Sequence, residues 1–208
     1  MVADARRLGM FPLSTVLFPY ARLPLHVFEP RYRALVAACL ADGGHFGVVL
    51  IARGSEVGGG DERVDVGTVA AIEAAEELPD GRWHVLVRGT DLIRVTQWLP
   101  DDPYPRAVVE DRRLESTEDG DALRTAEAEL RRVRALLCEL GDTPALPDSL
   151  SLGDTPDETA WRLCALAPLS AFDRQRLLEA PGPHERVALL VDLLRAVGED
   201  LGHLLAGG

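Results

Sequence analysis

Residues 23–33 read LPLHVFEPRYR, and the interpretation of the whole chain starts from this stretch. Its first half has the length and apolar content of a short strand. Pro30 then stands where a helix begins, because proline is favoured at the first helical position. Apolar residues follow at helical spacing, and Gly43-Gly44 predicts the end of the helix. The stretch therefore predicts a strand that passes directly into a helix.

Short apolar runs rich in β-branched residues surround this unit, up to about residue 115. They predict further strands at residues 10–17, 46–52, 64–78, 82–99 and 104–114. Pro79-Asp80-Gly81 predicts the tight turn of a hairpin, and Gly58-Gly59-Gly60 predicts a mobile hairpin tip. Gly67 and Gly89 interrupt the two long strands, which is typical of the bends that close a small barrel.

The apolar period becomes helical after residue 115. Apolar residues three and four apart predict one helix across residues 123–140 and another across residues 187–204. Thr155, Pro156 and Glu158 form a capping box that predicts a helix start, and Ser170 with Asp173 predicts another. Each long apolar stripe lasts under three heptads, so a helical bundle is favoured over a coiled coil.

The composition excludes several classes of enzyme. All 22 basic residues of this 208-residue chain are arginine, and asparagine is also absent, as is typical of proteins from GC-rich bacteria. Without lysine there is no P-loop lysine, no Ser–Lys nucleophile pair and no Schiff base. We therefore expect no ATPase of the Walker type and no Ser–Lys peptidase.

Charge and cysteine content restrict the partners and the location. The formal net charge is −12, which disfavours nucleic acid and anionic membrane surfaces as partners. Cys39, Cys138 and Cys164 lie far apart, as is typical of reduced thiols in a cytoplasmic protein. No signal peptide and no run of about 20 apolar residues is present, so we expect no membrane span.

Residue patterns of catalytic and metal sites are missing. The sequence contains no G-x-S-x-G, and none of the six serines has a histidine neighbour in sequence. His184-Glu185 begins like H-E-x-x-H, but the second histidine is missing. We therefore expect no catalytic residues, no cofactor and no metal, with His84 in an exposed or edge position.

A dense group of aromatic and charged residues lies at the strand-to-helix junction, formed by Phe28, Glu29, Arg31, Tyr32 and Arg33. An architectural interpretation has the two rings packing, Glu29 favouring the helix N-terminus through the helix dipole, and Arg31 pairing locally. A functional interpretation makes the group the rim of a groove that contacts extended peptide. Both interpretations remain open from the residues alone.

An ordered series of motifs resembles the Lon substrate-binding (Lon N-terminal) domain. The opening series is Phe11-Pro12-Leu13, Val16-Leu17-Phe18-Pro19 and the stretch from Leu23 to Tyr32; later pieces include Phe46-Gly47-Val48-Val49-Leu50, Val66-Gly67-Thr68-Val69-Ala70, Leu78-Pro79-Asp80-Gly81 and Gln175-Arg176-Leu177-Leu178-Glu179. The resemblance implies an α+β fold: a PUA-like β pseudobarrel with one inserted helix at 1–115, then an α-helical bundle at 116–208. In full Lon proteases this domain helps to capture substrates, whereas an ATPase and a Ser–Lys peptidase follow it. The resemblance and the missing lysine together predict a stand-alone, non-catalytic module.

The leading functional expectation is a module that contacts unfolded or extended polypeptide, with a protease or chaperone as a working partner. Peptide contact is assigned to Phe28, Glu29, Arg31, Tyr32 and Arg33. The alternative is RNA binding, since PUA-like barrels can serve that purpose, through Arg82, Arg88, Arg94, Arg106, Arg112 and Arg113. An unrecognised hydrolase is a third hypothesis, and the oligomeric state is left open.

Overall fold

The computed structural model describes residues 5–54, 62–112, 116, 119–141, 146–147 and 150–206. The chain divides into two compact units, Met1–Leu114 and Glu115–Gly208. The first is rich in strands and the second is helical, which confirms the α+β class and the order of pseudobarrel and bundle. The predicted hairpin tip at Gly58-Gly59-Gly60 lies outside the described residues.

The first unit contains six strands and one helix in its described residues. They are β1 (Arg6–Leu13), β2 (Arg22–Val27), α1 (Pro30–Ala41), β3 (His45–Arg53), β4 (Glu62–Glu77), β5 (Trp83–Leu99) and β6 (Arg106–Arg112). The sequence predicts the first strand at 10–17, but β1 spans Arg6–Leu13. It begins earlier because Arg6–Gly9 pair with Val109–Arg106 of β6. No local apolar pattern marks that long-range pairing.

The sheet closes on itself through its longest strand. The strand order is β2-β5-β4-β3-β1-β6, and β6 also pairs with β5. The first half of β5 pairs with β2 and the second half with β6. Gly89 lies between these halves, where a Cβ atom would meet the carbonyl oxygen of Phe18. Glycine is required there because the two backbones approach closely.

Two apolar clusters fill the first unit. One joins α1 to the sheet and includes Phe11, Tyr32, Leu35 and Phe46. The other lies among β1, β3, β4, β5 and β6, around Met10 and Ile93. The first cluster fixes α1 against β1, and this packing positions the junction between β2 and α1.

The helical unit contains four described helices: α2 (Gly120–Glu139), α3 (Pro156–Leu166), α4 (Ala171–Glu179) and α5 (Pro183–Ala206). The predicted caps of α3 and α4 are confirmed, because the hydroxyl of Thr155 accepts from the Glu158 N–H and that of Ser170 from the Asp173 N–H. The apolar stripes of α2 and α5 pack against each other. None of the described helices combines the length and apolar character that a bilayer span requires.

Candidate functional site

A pocket of about 260 Å³ opens at the junction between β2 and α1. The end of β1 supplies one wall, β2 supplies another, and α1 contributes one aromatic ring. Its lining is mostly apolar and consists of Phe11, Leu13, Thr15, Leu23, Pro24, Leu25, His26, Val27, Phe28, Glu29 and Tyr32. Three of the five residues predicted for peptide contact, Phe28, Glu29 and Tyr32, therefore line one pocket.

Tyr32 is a structural wall of this pocket. It is 3% exposed, and its ring stacks on that of Phe11 with the centroids 4.1 Å apart and the planes 9° apart. The guanidinium carbon of Arg31 lies over the same ring, 4.4 Å from its centroid. Stacking and cation–π attraction hold the ring in place. Tyr32 thus forms a fixed part of the pocket wall.

Glu29 and Arg31 neutralise each other beside the pocket. The Arg31 Nε donates to the Glu29 Oε2 at 3.1 Å, and each side chain is 17% exposed. Glu29 is the N-cap residue of α1, yet its side chain accepts no capping hydrogen bond from the helix. Its main described role is therefore the ion pair with Arg31, which is the local pairing that the architectural interpretation expects.

Arg33 lies apart from this pocket. It lines a separate depression of about 440 Å³ with Pro30, Ala34, Ala37, Glu77 and Trp83. A Cβ atom at Gly81, in the turn between β4 and β5, would meet its guanidinium group. Neither Arg31 nor Arg33 is among the residues that line the pocket beside Phe28, and Glu29 is the charged residue in that lining.

Phe28 is the exposed aromatic residue of the site. Its side chain is 51% exposed, although large apolar side chains are favoured in the interior. The His26 ring lies 6.2 Å from the Phe28 ring and 5.0 Å from the His84 ring, measured between centroids. Phe28 therefore offers apolar surface at the pocket mouth.

A second depression, of about 450 Å³, lies next to the first and shares Pro24, Leu25 and His26 with it; its other lining residues are Glu76, His84, Val85 and Leu86. β2 is thus bordered by two depressions. The sequence pattern alone did not assign His26 or Leu25 to the site. Pro24 was the available signal, because proline within a strand indicates an edge.

Three of the six arginines of the RNA alternative, Arg82, Arg88 and Arg106, bind groups within the protein. Arg82 pairs with Asp80 at 2.6 Å, and Arg88 donates to Glu73 at 3.0 Å. Arg106 donates to the carbonyl of Pro100 at 3.4 Å. Arg113 lies outside the described residues. No observation in the described ranges favours a phosphate-binding face.

Burial suppresses the ionisation of two of the three cysteines. Burial raises the pKa of the Cys39 thiol to about 11 and that of Cys164 to about 12, so neither is a thiolate near neutral pH. Across the described ranges, no group of three or more His, Cys, Asp or Glu side chains is arranged to hold a metal ion.

Comparison with known proteins gives a consistent family match. The family model of the ATP-dependent protease La (LON) substrate-binding domain matches residues 7–196. Lon protease 2 of Herpetosiphon aurantiacus is 32% identical, over 90% of this chain and 23% of that protein. A LON peptidase N-terminal domain and RING finger protein of Schizosaccharomyces pombe is 23% identical, over 90% of this chain and 45% of that protein. The chain thus spans less than half the length of these curated relatives.

Solved structures match over nearly their whole length. A Lon N-terminal domain protein from Xanthomonas campestris superposes with a TM-score of 0.66 at 29% identity, covering 90% of this chain and 98% of that one. The N-terminal domain of a Mycobacterium avium complex Lon protease gives a TM-score of 0.62 at 17% identity, and covers 91% and 98% respectively. The second match concerns the fold alone.

Proposed function

The chain belongs to the family of ATP-dependent protease La (Lon) substrate-binding domains, and we propose that it is a non-catalytic module that contacts unfolded or extended polypeptide. The observation that carries the proposal is the apolar pocket between β2 and α1, with the half-exposed Phe28 at its mouth. Unfolded chains expose apolar side chains that folded proteins bury. Such a pocket binds apolar side chains that unfolded chains expose, and it does not require a partner with a particular fold.

The size and lining of the pocket support a modest affinity. A volume of about 260 Å³ accommodates an apolar side chain, and burying one contributes roughly 1.5–3 kcal/mol. Ordering a flexible chain opposes this gain. We therefore expect weak capture at one contact, strengthened where a client offers several apolar side chains along an extended segment.

Partners and location belong to the same proposal. Relatives of this chain include Lon proteases and a RING finger protein, which supports a protease as the protein that acts on captured clients, with a chaperone as the alternative. A cytoplasmic location is supported by Cys39, Cys138 and Cys164, which are all free thiols. The absence of lysine supports a role in binding and none in ATP hydrolysis or Ser–Lys proteolysis.

A pair of phenylalanine variants tests the proposal. Fluorescence anisotropy would measure the binding of a labelled, Leu-rich synthetic peptide and of a reduced, permanently unfolded protein. We expect Phe28→Ala to weaken both by about fivefold to tenfold, because apolar area at the pocket mouth is lost. Phe172→Ala is the control, since Phe172 is 71% exposed on α4 of the other unit.

Two outcomes would contradict the proposal. One is no binding of either client at micromolar protein concentration. The other is an equal loss from Phe28→Ala and Phe172→Ala, which would indicate nonspecific adhesion to exposed rings. Both residues are exposed, so neither substitution is expected to prevent folding.

A further inference from the structure

We infer that the client polypeptide binds as an added β-strand along the free edge of β2, with its side chains alternating between the two depressions that border this strand. This inference rests on the proposed function, and it specifies how the client is held: main-chain hydrogen bonds at the strand edge together with apolar side-chain contacts.

β2 has one edge that no described strand occupies. Of the six described strands, β2 alone has a single partner strand, which is β5. Each of the other five pairs with at least two strands, because β6 closes the sheet by pairing with β1 and β5. An open strand edge presents main-chain N–H and C=O groups that another extended chain can pair with.

Hydrogen bonding at the start of β2 fixes which residues face that edge. The Gly89 N–H donates to the carbonyl of Ala21 at 2.9 Å, so the main chain of Ala21 faces β5. The N–H and C=O groups of successive residues in a strand point to opposite sides. The register Leu23↔Val87 and Leu25↔Val85 therefore directs the main-chain groups of Leu23 and Leu25 toward β5, as at Ala21. The main-chain groups of Arg22, Pro24 and His26 therefore face outward.

Pro24 agrees with this assignment independently. Proline has no N–H to donate, so within a sheet it is confined to positions that face an open edge or interrupt the pairing. Its outward position leaves the pairing of β2 with β5 unbroken from Arg22 to Val27. The edge consequently offers the carbonyl of Pro24 and both main-chain groups of His26, which gives an incoming strand a defined register.

The two depressions lie where the side chains of such a strand would point. The pocket beside Phe28 includes Leu23 and Leu25, which project from one face of β2. The second depression includes His84 and Leu86, which pair with His26 and Pro24 on the other face. Pro24, Leu25 and His26 line both depressions, which therefore meet along β2. Because successive side chains of a strand point to opposite faces, alternate residues of the client would contact each depression.

Charge specifies the client further. Glu29 and Glu76 are the only Asp, Glu or Arg residues among the described residues that line the two depressions. Because Arg31 neutralises Glu29, the negative charge at the site comes from Glu76 and from the net charge of −12 of the whole chain. Acidic segments would be repelled, whereas neutral or basic flanks complement the site. The occupant is therefore an extended apolar segment of another polypeptide with neutral or basic flanks. Main-chain hydrogen bonds form with any extended polypeptide, whatever its sequence, so this mode of binding can hold many different unfolded clients.

The paired variants His26→Pro and His26→Ala test the inference. Both remove the imidazole, but only His26→Pro removes the outward N–H that an added strand needs as a donor. With an Arg-flanked peptide of alternating Leu and Thr as the probe, we expect His26→Pro to weaken binding about tenfold or more. His26→Ala removes only the imidazole that lines both depressions, so its loss should be at least about fivefold smaller than that of His26→Pro. Equal losses in both variants would overturn edge pairing and leave the proposed function standing.

Modified peptides provide a test that does not depend on the folding of a variant. Two versions of the probe carry N-methyl groups on alternate residues, one set on the odd and one on the even positions. A paired strand directs alternate N–H groups toward its partner, so one version should bind like the parent peptide and the other should lose binding. Equal binding of both versions would overturn the inference.

Two further measurements test the charge of the client and the occupant of the edge. A probe flanked by Asp should bind more weakly than the Arg-flanked probe. Equal affinity would show that charge does not select the client, and the stated client chemistry would be wrong.

The oligomeric state tests which molecule occupies the edge. If sedimentation shows a dimer that His26→Pro converts to a monomer while peptide binding persists, the edge is occupied by a second copy and the inference is wrong. Failure of the unmodified probe and of the unfolded protein to bind would contradict the proposed function itself.

Discussion

Among single residues, Arg186 is a charged side chain placed inside the helical unit. It is 5% exposed, its guanidinium carbon lies 3.8 Å from the Trp161 ring centroid, and its Nε donates to the Leu177 carbonyl at 3.3 Å. Arg186→Ala removes this packing and leaves the carbonyl without that donor. We expect a loss of about 2–4 kcal/mol in the free energy of unfolding, measured by urea denaturation.

Arg195→Ala is the matched control for Arg186. Arg195 is also on α5, but its side chain is 53% exposed and pairs with Glu129 at 3.2 Å. Exposed ion pairs contribute little, so the loss should stay below about 1 kcal/mol. A small and equal effect of both substitutions would mean that Arg186 is hydrated in solution.

The three cysteines should differ in reactivity at the same residue scale. Cys138 is exposed, whereas Cys39 and Cys164 are buried and have pKa values raised by burial to about 11 and about 12. A raised pKa leaves little thiolate below pH 9. A chromogenic disulfide reagent should therefore label one thiol rapidly in the native protein and all three in denaturant. Rapid labelling of a second native thiol would contradict the burial of the other two.

At the scale of elements, the close approach between β5 and the segment before β2 depends on Gly89. Its N–H donates to Ala21 and its carbonyl accepts from Tyr20, and a Cβ atom would collide with the Phe18 carbonyl. We expect Gly89→Ala to destabilise the protein by about 1–3 kcal/mol, measured by thermal or urea unfolding. Gly202→Ala on α5 is the control, since nothing lies within 4 Å of its Cβ position. There alanine should be neutral or stabilise by up to about 1 kcal/mol.

Features that depend on neighbouring residues could be predicted from the sequence, whereas those that join distant segments could not. The caps at Thr155 and Ser170 were predictable, because a side chain and the N–H it binds lie three residues apart. The pairing of Arg6 with Val109 was not, since it joins segments about a hundred residues apart without a local signal. The pocket depends on such contacts: the Phe11–Tyr32 stack brings β1 to α1 and forms its wall. The sequence therefore identified the residues of the junction between β2 and α1. It did not predict which of them line the pocket and which pack or pair inside the unit, because that depends on contacts between distant segments.

For the molecule as a whole, the net charge predicts which of two classes of macromolecule, polypeptide or RNA, the protein binds. The net charge is −12, and Arg82 and Arg88 already pair with carboxylates. RNA affinity comes largely from counterions released as arginine neutralises phosphate, and it falls steeply between about 50 and 200 mM salt. We therefore expect filter binding to retain no RNA across that range, whereas a Leu-rich peptide with neutral flanks should bind with nearly constant affinity, because apolar burial is not screened. RNA retention that declines steeply with salt would contradict this and would favour an arginine face over the pocket beside Phe28.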